Sequence, residues 1–174
     1  GAYLRSNNSV YRPCDINETW KGIRFDDSQG LGVFDNTIVQ STFKNAAAAL
    51  YFTNGTDGVI TDNLFLNCNN GVRIEGNSQF DHSITGNHFV VEEFYPNYST
   101  CGYSFTSPSS VYGIVSAKTQ FSNHVSQNDF INSKGTNLEA LGIQLTDGGG
   151  VFTSNTFADF TSAITAISPS SYTA

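Results

Sequence analysis

The stretch Val59-Ile-Thr-Asp-Asn-Leu-Phe-Leu-Asn-Cys-Asn-Asn-Gly-Val-Arg-Ile74 contains two short apolar patterns joined by asparagine-rich turns. Its first half reads apolar, two polar residues, Asn, any residue, apolar. The same pattern starts at four other places, and the asparagines concerned are Asn36, Asn63, Asn87, Asn128 and Asn155. Their separations are 27, 24, 41 and 27 residues. A repeat of about 20–30 residues is typical of a solenoid.

The second half of the stretch, Gly71-Val-Arg-Ile74, repeats in phase with the asparagines. Related segments are Gly22-Ile-Arg-Phe25, Ala49-Leu-Tyr-Phe52, Gly113-Ile114, Gly142-Ile-Gln-Leu145 and Ala163-Ile164. Short β-type runs between Gly, Asn and Asp turns indicate strands rather than helices. We therefore predict an all-β solenoid of about six coils. Residues 49–52 are predicted to be strand, although residues 46–50 have good helix propensity.

The apolar residues of the repeat predict the interior of the coil. One stands three residues before each Asn and one two residues after it, and equivalent residues of successive coils stack on each other. These pairs are Val33 and Ile38, Ile60 and Phe65, Ile84 and Phe89, Val125 and Phe130, and Phe152 and Phe157. We expect an aliphatic column and a phenylalanine column. The asparagines are interpreted as structural, because Asn tolerates the left-handed conformation of a sharp corner and can exchange amide hydrogen bonds along the axis.

The period is interrupted between Phe89 and Val111, where a normal step leaves about 15 extra residues. We place an insertion at residues 90–112 within a β-helix domain at residues 21–174. Residues 1–20 fit the repeat poorly and are expected to form an N-terminal cap or linker. The chain has no Met, even at its start, so we expect it to be part of a longer protein.

Composition excludes several classes of function. The net charge of −7 and the pI near 4.6 argue against nucleic-acid binding, because no basic stripe faces a phosphate backbone. No apolar run approaches the roughly 18 residues of a membrane span. His82, His88 and His124 fall at different phases of the coil, so neither a metal site nor a cofactor is predicted.

The chain contains three cysteines, an odd number for a disulfide framework. Cys68 follows Asn63 by five residues, in phase with Ser41 after Asn36, and is interpreted as a buried free thiol. A bridge that involves Cys14 or Cys101 is the alternative.

Residues 59–74 resemble the coil consensus of right-handed parallel β-helices, and the resemblance extends over roughly residues 22–167. Proteins of this kind include pectate-lyase-like enzymes, surface epimerases, and the tailspikes and receptor-binding proteins of tailed phages. The resemblance implies a right-handed parallel β-helix with one loop insertion. It specifies architecture rather than activity, because the consensus residues are those that build the coil.

The middle residue of the second pattern is expected to point outward, since its neighbours point inward. This position holds Arg24, Tyr51, Arg73, Val115, Gln144 and Thr165 on successive coils. Coils about 4.8 Å apart make the first three a ladder roughly 10 Å long, close to two sugar units. The ladder is either a saccharide-binding strip or an ordinary solvated face. Tyr95, Tyr98 and Tyr103 of the insertion either join the binding surface or pack the loop down.

Acidic residues follow the same strands. Asp26 and Glu75 share one column two coils apart, with about 9–10 Å between backbones, so their carboxyl groups suit an inverting glycoside hydrolase. Turn positions also attract Asp for local hydrogen bonds, which is the simpler interpretation.

Two main classes of function remain, and a structural adhesin segment is a further alternative. The first is a non-catalytic head that binds host-surface polysaccharide, like the receptor-binding tip of a phage tail or baseplate. The second is a polysaccharide depolymerase, a hydrolase or lyase, that uses Asp26 and Glu75. We favour the first, located on a virion tail tip or otherwise extracellular, without membrane insertion and assembled as a homotrimer.

Overall fold

The computed structural model of the chain describes residues 3–4, 7–9, 21–26, 36–44, 46, 48–53, 56–75, 82–92, 110–117, 122–133, 139–147 and 149–167. The first strands are β1 (Tyr3–Leu4), β2 (Asn7–Ser9), β3 (Lys21–Asp26), β4 (Thr37–Val39), β5 (Thr42–Lys44) and β6 (Ala48–Thr53). They are followed by β7 (Gly58–Thr61), β8 (Leu64–Leu66), β9 (Asn70–Glu75), β10 (His82–Thr85), β11 (His88–Val91) and β12 (Ser110–Ala117). The last are β13 (Ser122–Ser126), β14 (Asp129–Asn132), β15 (Glu139–Thr146), β16 (Gly149–Thr153), β17 (Thr156–Ala158) and β18 (Ser162–Ile167).

Three parallel six-stranded sheets are built from every third strand. The first sheet has the order β1-β4-β7-β10-β13-β16, the second β2-β5-β8-β11-β14-β17 and the third β3-β6-β9-β12-β15-β18. Each coil thus contributes one strand to each sheet, and six coils stack into a right-handed parallel β-helix. The predicted fold class is confirmed. Within the described ranges, no helix is long and apolar enough to cross a membrane.

The interior contains the predicted column of phenylalanines. Successive ring centroids of Phe43, Phe65, Phe89, Phe130 and Phe157 are 5.3, 4.7, 4.7 and 4.6 Å apart, with interplanar angles of 10° or less. Ring spacing therefore equals coil spacing, and each ring is covered by the next. The sequence pattern does not include Phe43, because it places the second coil in the wrong register.

The register of the second coil corrects the first unit of the predicted repeat. Ile38 pairs with Ile60 and Phe43 pairs with Phe65, so Ser41 occupies the position of Asn63. The backbone N–H of Ser41 donates to Asn63 Oδ1 at 2.9 Å, whereas Asn36 donates to the carbonyl of Asp57 at 3.0 Å. The prediction that Asn36 belongs to the asparagine column is therefore wrong. The polar turn before β4 matches the repeat pattern, but its Asn36 lies five residues before Ser41, which holds the ladder position. Val33 lies outside the described residues.

The remaining asparagines form a continuous buried ladder. The Nδ2 of Asn63 donates to Asn87 Oδ1 at 2.9 Å, Asn87 to Asn128 at 3.0 Å and Asn128 to Asn155 at 2.9 Å. Each Oδ1 also accepts from the backbone N–H of the preceding asparagine at 2.9–3.0 Å. The amides therefore satisfy backbone donors that the corner between two sheets removes from the β-ladders. The structural interpretation is confirmed for these four residues.

The left-handed residue at this corner is not the asparagine. Positive φ angles of 48–67° occur instead at the residue just before the ladder position, which is Gln40, Asp62, Gly86, Gln127 or Ser154. The expectation that Asn supplies the αL conformation is thus wrong. The preceding residue makes the turn, and this directs the amide of the asparagine inward to the ladder.

Glycines of the third sheet make room for the phenylalanines. A Cβ added to Gly71 would lie 2.5 Å from Cε1 of Phe89, and the rings of Phe130 and Phe157 stand in the same way against Gly113 and Gly142. Each phenylalanine belongs to the coil that follows its glycine. Any side chain at these glycines would therefore displace the column.

The limits of two predicted segments can be compared with the strands. Residues 90–91 belong to β11 and residues 110–112 to β12, so the first and last residues of the predicted insertion are strand residues. Residues 93–109 lie outside the described part of the chain. Strands β1 and β2 pair with β4 and β5, and the assignment of residues 1–20 as a cap or linker stays a prediction.

Replacing Asn87 with Ala should lower the free energy of unfolding by about 2–5 kcal/mol, since the buried N–H of Asn63 and the carbonyl of Ile60 lose their partner. The matched control is Asn155→Ala in the half-buried last coil, where water can replace the amide and the loss should be about 1 kcal/mol. Urea unfolding followed by circular dichroism measures both. Equal losses would contradict a ladder stabilised by burial.

Gly71→Ala should destabilise the protein by about 1–3 kcal/mol or more, because the new methyl overlaps Phe89 and the Gly113 carbonyl oxygen, 2.7 Å away. Gly149→Ala is the control, since nothing lies within 4 Å of a Cβ at that exposed strand position. Its effect should stay within about 0.5 kcal/mol. A thermal melt in which the two variants behave alike would refute the packing role.

Candidate functional site

The outward column of the third sheet has the predicted register. Arg24 pairs with Tyr51, and Tyr51 with Arg73, on three adjacent strands. The column continues through Val115, Gln144 and Thr165. The structure thus brings together the three residues that the sequence singled out, on the outer face of β3, β6 and β9.

Each arginine of the ladder is paired with a carboxylate two residues further along its own strand. Arg24 contacts Asp26 Oδ2 at 2.5 Å, and Arg73 Nε donates to Glu75 Oε1 at 2.6 Å. Residues two apart on a strand share a face, which places each acid beside its base. The arginine side chains are still 48% and 41% exposed, so these groups remain within reach of a ligand.

Tyr51 lies between the two arginines. Its ring centroid is 5.7 Å from Cζ of Arg24 and 6.0 Å from Cζ of Arg73, each guanidinium standing over the ring. Because the arginines come from the coils on either side, both faces of the ring are directed along the solenoid axis. Only the ring edge and the hydroxyl group remain directed outward.

The hydroxyl of Tyr51 donates to Glu75 Oε2 at 2.5 Å. Partial burial, and then this hydrogen bond to a carboxylate, raise the pKa of Tyr51 above its ordinary value of 10.0. The phenol therefore keeps its proton at neutral pH. It supplies a fixed hydrogen bond and does not act as a base.

Asp26 and Glu75 occupy one column two coils apart, separated by Thr53, as the sequence predicted. Each carboxylate is held against a guanidinium, and Glu75 also accepts from Tyr51. A glycosidase acid has to be protonated before it reacts, and a neighbouring guanidinium favours the ionised form. The arrangement is better suited to accepting hydrogen bonds than to transferring protons.

The predicted aromatic residues of the insertion, Tyr95, Tyr98 and Tyr103, lie outside the described residues. The described ends of the insertion are Glu92 and Ser110, and Ser110 begins β12, the strand next to β9. The described chain therefore resumes at Ser110 on the strand that pairs with the strand of Arg73.

A second polar ladder, which the sequence interpretation missed, lies on the outer face of the second sheet. His88 Nδ1 is 3.1 Å from Asp129 Oδ2, and the hydroxyl of Thr156 donates to the other oxygen of that carboxylate. The three residues each follow a ladder asparagine directly. That constant offset from Asn was the signal in the sequence.

The histidines are separated, as the sequence predicted from their phases. His82 is fully buried, edge-on to Phe52 with ring centroids 4.9 Å apart, while His88 and His124 are exposed on the second and first sheets. Across the residues that the structure describes, no group of three or more His, Cys, Asp or Glu side chains could hold a metal ion.

A family model described as "Periplasmic copper-binding protein (NosD)" matches residues 2–141, about four fifths of the chain. The chain belongs to the NosD family. This family has a right-handed parallel β-helix, in agreement with the three stacked sheets. No significant match was found among curated proteins or among solved structures.

In this NosD-family chain Cys68 is a free, buried cysteine, as predicted, while Cys14 and Cys101 lie outside the described residues. The prediction that Cys68 is in phase with Ser41 is wrong. Ser41 aligns with Asn63, so the residue equivalent to Cys68 in the preceding coil is Ala46. The thiol is 3.6 Å from the carbonyl oxygens of Phe43 and Leu66. Desolvation by burial raises the pKa of Cys68 to about 12, so the group is a neutral thiol at physiological pH.

In a Cys14→Ser/Cys101→Ser background, Cys68 should not react with Ellman's reagent at pH 8 until the protein unfolds. The folded pKa of about 12 lies above the reference value of 9.0. The linked stabilisation is therefore complete below about pH 9 and is lost as the pH rises towards 12. Full labelling in denaturant is the control, and rapid labelling of the folded protein would show that the thiol is accessible.

Proposed function

We propose that this chain is a saccharide-binding module, and that it binds its ligand on the ladder of Arg24, Tyr51 and Arg73. The observation that carries the proposal is the placement of these three side chains on adjacent strands, with Asp26 and Glu75 beside them. Guanidinium, hydroxyl and carboxylate groups recur here at the spacing of the coils, about 4.8 Å. A polysaccharide presents hydroxyl groups with a comparable repeat.

The mutual contacts of the ladder favour binding. Glu75 fixes both Tyr51 and Arg73, and the guanidinium groups of Arg24 and Arg73 stand over the ring between them. Side chains that are already ordered lose less conformational entropy when a ligand arrives. The strip is therefore prepared for hydrogen bonding to sugar hydroxyls.

We further propose that the module acts outside the cytoplasm. The family description names a periplasmic protein, and the chain is rich in Asn, Ser, Thr and Gly with only 13% charged residues. The family match does not point to a virion. A phage-tail location and a homotrimeric assembly stay predictions from the sequence.

Copper binding, which the family description names, does not fit the described residues. Protein copper sites use His, Cys and Met ligands, and the chain contains no Met and only three His. These histidines lie in the core and on two different sheets, and the thiol of Cys68 is buried and protonated. We therefore assign no copper chemistry to these positions.

The proposal predicts that Arg73→Ala and Tyr51→Ala each weaken binding to a polysaccharide found on a glycan array by about tenfold, or about 1–2 kcal/mol. Thr165→Ala is the matched control, because it changes the same outward column three coils beyond Arg73. Isothermal titration measures the affinities, and Tyr51→Phe separates the hydroxyl group from the ring. Unchanged affinity in all ladder variants would place the site elsewhere.

A reducing-end assay on the same polysaccharide tests the alternative, a depolymerase. Binding without release of reducing ends supports a non-catalytic module. Release that disappears in Asp26→Asn or Glu75→Gln would identify those carboxylates as catalytic, and the non-catalytic proposal would then be abandoned.

A further inference from the structure

The charged groups of the ladder neutralise one another locally. Arg24 and Arg73 contribute two positive charges, and their partners Asp26 and Glu75 contribute two negative charges. Each pair is formed within one strand, so each arginine is balanced by a carboxylate of its own strand. The outward residues of the following strand, Val115 and Ala117, carry no charge.

This balance disfavours charged ligands of either sign. A polyanion would have to displace the carboxylates from their guanidinium groups and approach a chain whose net charge is −7. A polycation would have to displace the guanidinium groups instead. Uncharged hydroxyl groups can donate to carboxylate oxygens and accept from guanidinium N–H groups while both ion pairs stay intact.

The orientation of Tyr51 selects the mode of contact. Both faces of its ring are covered by guanidinium groups, so a sugar ring meets the hydroxyl group and the ring edge rather than a stacking surface. The polar groups follow one another along the solenoid axis on three adjacent strands, and Val115 on the fourth strand ends the strip. The strip is about 10 Å long, which corresponds to about two sugar units.

We infer that the ligand of the Arg24–Tyr51–Arg73 ladder is a neutral polysaccharide chain that lies parallel to the solenoid axis and is recognised through its hydroxyl groups. This inference rests on the proposed saccharide-binding function. It adds the charge class of the ligand, its direction and the length of the bound segment.

The test compares neutral and acidic oligosaccharides on the whole chain. Cellohexaose, mannohexaose and chitohexaose are the neutral probes and hexagalacturonate is the acidic probe, each titrated at low and at high NaCl concentration. At least one neutral probe should bind, with an affinity that changes less than about twofold with salt, and hexagalacturonate should not. Shortening the neutral probe should leave the affinity unchanged until fewer than about two units remain.

Glu75→Gln tests the role of the ion pair, because it leaves Arg73 without its carboxylate while keeping an acceptor for Tyr51. The variant should gain affinity for hexagalacturonate by about tenfold, and the gain should disappear at high salt. Asp129→Asn is the matched control, since it removes one negative charge on the second sheet beside His88 and should gain nothing.

The outcomes separate the two proposals. Stronger, salt-sensitive binding of hexagalacturonate by the unmodified chain would overturn the neutral-ligand inference and leave saccharide binding intact. Equal behaviour of Glu75→Gln and Asp129→Asn would show that local pairing does not set the charge selectivity, which also overturns the inference. Binding of none of the probes, together with a negative glycan array, would overturn both.

Discussion

The asparagine amides that stack along the axis set the geometry on which the other features depend. At the corner between the first two sheets, the chain turns through a left-handed residue, and a β-ladder cannot satisfy all the backbone groups there. Asn63, Asn87 and Asn128 are fully buried and bridge successive coils through both their Oδ1 and Nδ2 atoms. With that corner fixed, the phenylalanine column and the outward ladder follow at a constant offset.

Much of the architecture could be predicted because the same sequence pattern recurs from coil to coil. The phenylalanines Phe65, Phe89, Phe130 and Phe157 stand two residues after an asparagine, and the structure stacks them as expected. The pattern assigns the wrong register to the second coil, because Ser41 replaces the asparagine there. Asn36 stands two residues before the apolar Ile38, which is the distance that the pattern requires. A single polar turn resembles another in sequence. Only the pairing of whole strands distinguishes them.

The candidate site could be predicted in position but not in detail. Alternation along β3, β6 and β9 was enough to place Arg24, Tyr51 and Arg73 in one outward column. The pattern does not contain side-chain rotamers, so it gave no indication that the guanidinium groups would cover both faces of the tyrosine. That contact changes the chemistry of the surface from stacking to hydrogen bonding.

The contacts between glycines and phenylalanines give the solenoid a direction. Gly71 is covered by Phe89 of the next coil, as Gly113 is by Phe130 and Gly142 by Phe157. The inner face of the third strand of a coil is therefore fully packed only when the following coil is in place. During synthesis at the ribosome, each coil would remain open on one side until about 20 more residues have emerged. Folding of such a chain is expected to advance vectorially from the N-terminus, with every new coil closing the one before it.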